Sequence, residues 1–103
     1  MRPQVQSESE MQFVNVSKAN EPQKSYRCPC CGFKTLFGRG QDEICPVCFW
    51  EDDGQDDHDA SEVRGGPNGT LSLTEARTNF RKLGASAPRF INEVRRPLPD
   101  EQT

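Results

Sequence analysis

The chain has 103 residues, of which 32% are hydrophobic, and its mean hydropathy is -0.87. A chain of this length forms one small domain, and so little apolar material cannot fill a large core. We therefore expect folding to depend on a disulfide, a metal or a partner as well as on burial, and the five cysteines are the candidates. Their odd number excludes complete disulfide pairing within one chain.

The sequence contains no apolar stretch long enough to span a bilayer, and the opening residues, MRPQVQSESE, lack the hydrophobic centre of a secretory signal. These features predict a cytoplasmic location without membrane contact. In that reducing compartment, clustered thiols bind metal or carry out redox chemistry more often than they form permanent bridges.

The composition divides the chain into an arm, a domain and a tail. Residues 1–25 are polar and are predicted to form a flexible N-terminal arm. Within residues 26–50, FKTLF is typical of a strand, and GRGQDE is typical of a turn that leads back to ICPVCFW. The fold prediction is a small metal-stabilised α+β domain over residues 26–96. It begins with a zinc-ribbon-like knuckle hairpin (26–50), continues with an acidic loop (51–70) and ends with one or two C-terminal helices.

The clearest helix is predicted over residues 72–84. Ser72 is a good N-cap, and Gly84 is a natural terminator. The helical period places four apolar residues on one face, which is expected to face the core: Leu73, Ala76, Phe80 and Leu83.

A second, shorter helix is predicted over residues 88–96. Phe90, Ile91 and Val94 are expected to point inward, and Pro97 is expected to end the helix. Residues 97–103 are expected to form a tail.

The cysteines form two copies of one motif. CPCCG and CPVC both fit C-P-x-C, and thirteen residues separate them. In such a knuckle, the first and fourth positions direct two sulfurs at one ion, proline stiffens the turn, and a following glycine lets backbone N–H groups approach the thiolates. The predicted metal ligands are therefore Cys28, Cys31, Cys45 and Cys48. Phe49 stands where the second knuckle favours glycine, so that turn is expected to be tighter or differently shaped.

Four cysteines around one ion predict a closed tetrahedral site. Zn²⁺ is the preferred ion, at one per chain, because such a site needs no redox partner, but a rubredoxin-like iron centre uses similar knuckles. The register of the motif leaves Cys30 out of the ligand set. Cys30 is then either a small, partly buried side chain beside the metal or a reactive thiol.

Charge is distributed unevenly along the chain, whose net charge is -3. Residues 51–63 contain seven acids and no Lys or Arg, whereas residues 64–103 contain seven bases and four acids. The acid spacing does not fit an EF-hand loop, and His58 would be the nitrogen ligand of any second metal site here. One interpretation is a solvated loop whose charge is partly neutralised by the basic helices, at Arg77, Arg81, Lys82, Arg95 and Arg96.

The functional interpretation of this stretch is a negative surface that recognises a basic protein partner. The candidate contact residues are Phe49, Trp50, Glu51, Asp52, Asp53, Asp56 and Asp57. The two aromatic residues could instead belong to the core under the metal site.

Three segments, CPCCGFKTL, ICPVCFWEDDGQDD and GGPNGTLSLTEARTNFRKLGA, resemble the cysteine-rich CPCC domain family of bacterial proteins. The similarity runs from about Tyr26 to Ala85. It implies a metal site and a bacterial source, and it implies no particular activity.

Three classes of function follow from these features. The favoured hypothesis is a non-enzymatic interaction module on a zinc scaffold, for example an immunity, antitoxin or regulatory protein. A nucleic-acid-binding zinc ribbon is disfavoured, because the ribbon segment is close to neutral and the acidic stretch is attached to it. An enzyme that uses Cys30 or the acidic stretch is also disfavoured, since four cysteine ligands close a zinc ion to water.

Overall fold

The computed structural model describes residues 23–103, so the arm predicted over residues 1–25 lies almost entirely outside the described residues. The last residues of that predicted arm belong to the domain. The Lys24 ammonium donates to Glu101 at 2.7 Å, and the backbone N–H of Ser25 donates to the carbonyl of Leu36 at 3.0 Å.

A two-stranded antiparallel hairpin carries the first cysteine turn. Strand β1 (Tyr26–Arg27) pairs with strand β2 (Lys34–Leu36), with Tyr26 opposite Leu36 and a register irregularity after Tyr26. This confirms the strand that was predicted in FKTLF. The second cysteine turn has a smaller ladder of its own, in which Ile44 pairs with Glu51 and the Cys45 N–H donates to the Trp50 carbonyl.

Helix α1 (Leu73–Leu83) forms where its capping signals predicted it. The Ser72 hydroxyl accepts a hydrogen bond from the Glu75 N–H at 3.1 Å, which satisfies a backbone donor at the helix start. Gly84 ends the helix in the left-handed conformation, with φ at 81°.

The core-facing stripe of α1 is shorter than predicted. Leu73 and Ala76 are fully buried and Phe80 is half-buried, but Leu83 is 44% exposed. The reason is the turn at Gly84, after which the chain runs to the second cysteine turn instead of packing over the last turn of α1.

The second helix differs from the prediction. Residues Pro88–Glu93 form a 3₁₀ helix, and by Val94 the backbone is extended. A 3₁₀ helix has three residues per turn, so Phe90, Ile91 and Val94 do not share one face. Phe90 packs against the core and Val94 is half-buried, whereas Ile91 is exposed.

Residues 97–103, which were expected to form a tail, are attached to the domain by hydrogen bonds of Glu101. A 3₁₀ turn over Pro99–Glu101 places the Glu101 carboxylate where it is fully buried. Arg95 donates to both carboxylate oxygens at 2.9 Å, and the Leu98 N–H donates at 2.8 Å. With the bond from Lys24, this carboxylate joins the two ends of the domain.

The core lies between the two cysteine turns and α1. Trp50 is its largest fully buried side chain, and Leu36, Val47, Leu73 and Ala76 belong to the same cluster, together with four of the cysteines. The described residues thus form a small domain with one hairpin, one α-helix and one cysteine cluster. None of the described helices is long and apolar enough to cross a membrane.

The Glu101 network predicts a stability loss that depends on pH. Glu101→Gln removes the charge that Arg95 and Lys24 share, and it should lower the free energy of unfolding by about 1–2 kcal/mol at pH 7, because both bases are partly open to solvent. Asp100→Asn is the matched control, since that side chain is 68% exposed. Urea unfolding of the metal-loaded protein measures both losses.

The pH dependence follows from the direction of the shift. Hydrogen bonds from Arg95 lower the pKa of Glu101 from 4.5 to about 2. A carboxylate with a lowered pKa stabilises the fold fully above its unfolded pKa and loses that contribution as the pH falls through its folded pKa. The difference in free energy of unfolding between the wild type and Glu101→Gln should therefore stay constant from pH 7 to about 5 and narrow below about 4.5. A constant gap at still lower pH would contradict this account.

Candidate metal centre

The structure brings the four predicted ligands together. The sulfurs of Cys28 and Cys48 lie 3.6 Å apart, those of Cys31 and Cys45 lie 3.7 Å apart, and all four lie within 4.8 Å of one another. A tetrahedron with metal–sulfur distances of about 2.3 Å has sulfur–sulfur edges of about 3.8 Å. The cluster therefore has the dimensions that a tetrahedral metal ion requires.

The two cysteine turns have the same backbone shape. The Gly32 N–H donates to the Cys28 carbonyl at 2.8 Å, and the Phe49 N–H donates to the Cys45 carbonyl at 2.7 Å. Gly32 has φ at 83° and Phe49 has φ at 70°, so both are left-handed. The expectation of a tighter or different second turn is thus wrong: Phe49 adopts the glycine conformation.

Phe49 gains a contact in this position. Its ring lies 4.7 Å from the ring of Phe90, measured between centroids. The left-handed conformation costs an L-residue about 1–2 kcal/mol, and an aromatic pair recovers about 0.5–1.5 kcal/mol. The pair attaches the 3₁₀ helix of residues 88–93 to the second cysteine turn.

Hydrogen bonds among the thiols shift their pKa values in opposite directions. Hydrogen bonding with Cys28 raises the pKa of Cys31 and of Cys48. Hydrogen bonds from the neighbouring thiols, Cys28 first, lower the pKa of Cys45. Cys45 therefore loses its proton most readily, whereas Cys31 and Cys48 hold theirs more tightly, and a divalent cation could replace those protons.

Thr35 contributes to this site, although the sequence analysis did not identify it. Its hydroxyl oxygen lies 3.1 Å from the Cys45 sulfur, where it can donate to the thiolate, and Thr35 is buried. Groups that support a metal ligand in this way orient it and tune the metal. The only sequence signal is the position of Thr35 in the predicted strand between the two cysteine turns.

Cys30 lies outside the ligand group but inside the core. Its side chain is buried, and its backbone N–H donates to the Cys28 sulfur at 3.4 Å. The backbone of Cys30 therefore supports a ligand, while its own sulfur packs with the core cluster. Of the two interpretations of Cys30, the geometry favours the small buried side chain.

The C-terminal half of the domain holds both cysteine turns by their carbonyl groups. Arg77 of α1 donates to the carbonyl of Pro29 at 2.8 Å. The Ser86 N–H donates to the Cys48 carbonyl at 2.8 Å, and the Arg95 N–H donates to the Pro46 carbonyl at 3.1 Å. Residues distant in sequence thus fix the frame in which the sulfurs are presented.

The acidic loop is less solvated than predicted. Asp52 is fully buried, and its carboxylate accepts hydrogen bonds from the Arg39 side chain at 2.8 Å and from the backbone N–H groups of Gly40 and Gly54 at 2.8 and 3.1 Å. This corrects the expectation that Asp52 belongs to a recognition surface. The charge of Asp52 has a structural role, because its hydrogen bonds with Arg39 and Gly40 attach the segment between the two cysteine turns to the acidic loop.

Arg39 also binds the next acid of the loop. Its guanidinium donates to Asp56 at 2.7 Å and to the Gln55 carbonyl at 2.9 Å. The hydrogen bond from Arg39 lowers the pKa of Asp56. Burial alone would lower the pKa of Arg39, but Asp52 and Asp56 outweigh burial and raise it.

The basic residues of the C-terminal helices neutralise less of the negative charge of the acidic loop than predicted. Arg64, within the loop, pairs with the buried Asp59. Arg77 pairs with Asp57 at 2.8 Å, while Arg95 is engaged by Glu101. Most of the neutralising charge therefore comes from arginines outside the helices.

The other candidate residues of the acidic stretch differ in how deeply they are buried. Trp50 is fully buried in the core, whereas Phe49 is half-buried against Phe90. Glu51 and Asp53 are half-buried, and Asp53 accepts a hydrogen bond from the Gln55 N–H. Asp57 is 87% exposed at its side chain, and His58 is exposed beside Asp59, 3.7 Å away.

Because Phe49 has a positive φ, we expect its glycine variant to be more stable than its alanine variant, which is the reverse of the order at an ordinary position. Phe49→Gly and Phe49→Ala both remove the ring contact, but only glycine adopts a positive φ without strain. Phe49→Gly should therefore be more stable than Phe49→Ala by about 1 kcal/mol in urea unfolding of the metal-loaded protein. Ile44→Gly and Ile44→Ala provide the control, since Ile44 is exposed and has no positive φ, and there alanine should be the more stable. Equal stability of the two Phe49 variants would show that the turn relaxes.

A comparison with curated proteins and with solved structures finds no match. A family model described as Cysteine-rich CPCC matches residues 26–101. The matched range includes both cysteine turns, α1 and the buried Glu101. With more than half of its length matched, and with four of the five cysteines of its two turns gathered into one cluster, the chain belongs to the cysteine-rich CPCC family.

Proposed function

We propose that this protein is a non-enzymatic protein-interaction module whose fold is held by one zinc ion. The observation that carries the proposal is the closed group of four sulfurs, with edges of 3.6 and 3.7 Å. All four positions of a tetrahedral ion would be filled by cysteine, which leaves no position for water or substrate. The metal would then stabilise the domain and take no part in a reaction.

Zinc suits this group better than iron for two reasons. Zn²⁺ has no redox chemistry, so it needs no electron-transfer partner, and structural zinc sites of this composition contribute directly to folding. The domain needs such a contribution, because its hairpin strands have two and three residues. A hairpin of that size is at best marginally stable without other support.

The proposed partner is a protein with a basic surface. Seven acids lie in residues 51–62, and within residues 23–103 three arginines pair with them, which leaves an excess of negative charge on the loop. Its accessible part differs from the predicted set: Asp57 and Glu62 are exposed, Asp56 is half-exposed, and Asp52 is excluded by burial. Such a surface accelerates encounter with a basic protein and repels acidic ones. An inhibitor of the immunity or antitoxin kind is the specific version of this proposal.

The metal proposal predicts one zinc ion per chain. Elemental analysis of protein prepared without chelator should give this stoichiometry, and stoichiometric iron would contradict the choice of metal. Replacing any one of the four ligands by serine should unfold the domain, since metal binding worth about 10 kcal/mol or more is coupled to folding in structural sites.

Cys30→Ser is the matched control for these variants, because it removes a thiol from the same turn. It should keep the metal and the fold, which circular dichroism and elemental analysis can check together. Loss of metal from Cys30→Ser, with metal retained in Cys28→Ser or Cys31→Ser, would show that the assigned register is wrong.

The partner proposal predicts a change in association rate. After crosslinking in the native cell has identified a bound protein, stopped-flow association should be slower for the double variant Asp57→Asn, Glu62→Gln, with a flatter salt dependence. The attraction between exposed charges is screened beyond about 8 Å at physiological ionic strength, so its loss appears in the salt dependence of the rate.

The control carries the same charge change elsewhere. Glu93→Gln with Asp100→Asn also removes two exposed acids, and it should leave the rate unchanged. Both double variants should keep their zinc and their stability, because exposed ion pairs are worth about 0–1 kcal/mol. Equal association rates for the two variants would place the contact surface outside the acidic loop.

A further inference from the structure

An apolar groove lies at the C-terminal end of α1, on elements that the proposed function does not use. This groove, called here the C-terminal groove, has a volume of about 270 Å³ and is lined by Val47, Phe80, Gly84, Val94 and residues 95–97. Its hydrophobic side chains come from the second cysteine turn, from α1 and from the segment after the 3₁₀ helix. A concave apolar surface of this kind can bury a hydrophobic side chain of another molecule.

The two arginines of the C-terminal groove differ in how their charges are satisfied. The Arg95 guanidinium donates to both oxygens of the buried Glu101 at 2.9 Å, which neutralises its charge. Arg96 is exposed, and it forms no ion pair within residues 23–103. The groove therefore combines an apolar surface with one unneutralised positive charge, and it should accept a hydrophobic side chain that stands next to an acid.

The acidic loop presents such a pair of residues at its tip, residues 61–64. Val63 is 56% exposed, more than any other large hydrophobic residue in the described part of the chain, and its neighbour Glu62 is exposed as well. Both neighbours of Val63 are anchored. The Glu62 carbonyl accepts a hydrogen bond from the buried Gln55 at 2.8 Å, and Arg64 pairs with Asp59. The loop tip is therefore held in place with its hydrophobic side chain in solvent.

The loop tip does not reach the C-terminal groove of its own chain. The Ala60 carbonyl accepts a hydrogen bond from the Thr74 N–H at 2.9 Å, in the first turn of α1, whereas Gly84 of the groove follows the last turn. The helix is about 16 Å long, and the three residues from Ala60 to Val63 span at most about 11 Å. Within one chain the two surfaces therefore stay apart, but two copies of the chain can supply one each.

We infer that this protein associates with itself by inserting Val63 of one copy into the C-terminal groove of another copy, where Glu62 pairs with Arg96. The two surfaces lie at different places on the molecule, so a single contact joins unlike surfaces of the two copies. A contact through one loop buries little area, and the association should be weak and dependent on protein concentration. The inference does not rest on the proposed basic partner. Because the contact covers Glu62, such a partner would compete with self-association.

Sedimentation velocity of the full-length, metal-loaded protein, with no partner present, tests the inference. The sedimentation coefficient should rise over a hundredfold range of protein concentration, and Val63→Ser should weaken the association several-fold. Ile44→Ser is the matched control, because Ile44 is also β-branched and is 47% exposed outside the loop tip, and this variant should associate like the wild type. A protein that stays monomeric at every concentration would overturn the inference, even if a different molecule were then found to bind the groove.

Charge reversal tests which surfaces meet. Glu62→Arg and Arg96→Glu each place like charges in the contact, so each variant alone should associate several-fold more weakly than the wild type. An equimolar mixture of the two variants should regain the association, because every contact between unlike variants joins opposite charges. Circular dichroism and metal content should match the wild type in both variants, since both side chains are exposed. Undiminished association of either variant alone, or a mixture that associates no better than its components, would place the contact elsewhere and overturn the inference.

Discussion

The meeting of four sulfurs from two separate turns is the constraint on which the rest of this domain depends. Each turn stands on a short backbone ladder, and ladders of two or three residues do not persist alone in water. Bringing their tips to one point fixes the angle between them and creates the space that Trp50 fills. Residues after α1 then bind the carbonyls of Cys48 and Pro46, so the C-terminal half of the fold also depends on the position of the second turn.

Charge in this protein has a structural role before it has a functional one. The buried Asp52 needs Arg39 and two backbone N–H groups, because a carboxylate in the interior costs several kcal/mol unless it is paired and hydrogen-bonded. Glu101 meets the same requirement with Arg95, Lys24 and a backbone N–H. Both carboxylates join segments that are distant in sequence, which hydrophobic contacts alone could not do in so polar a chain. The proposed recognition surface can therefore use only the acids that this structural role leaves free.

The sequence predicts the parts of this structure that depend on local signals. The motif spacing identified the four clustered cysteines, and the caps at Ser72 and Gly84 bounded the helix, because each of these signals acts within a few residues. It could not predict that Arg39 would pair with Asp52 or that Glu101 would be buried, since nothing in a single sequence states which distant charges meet. Phe49 shows a third case, in which the fold imposes a conformation that the residue itself disfavours.

The two charged regions of the domain can act independently because α1 separates them. The acidic loop meets the start of α1, where the Thr74 N–H donates to the Ala60 carbonyl, and the bases Arg81 and Lys82 lie in its last turn. This arrangement also suits the helix dipole, which favours negative charge at the start and positive charge at the end. The helix is about 16 Å long, roughly twice the screening length of about 8 Å at physiological ionic strength. The field of these bases is therefore largely screened at the loop, so they would add little repulsion to the approach of a basic protein, the proposed partner.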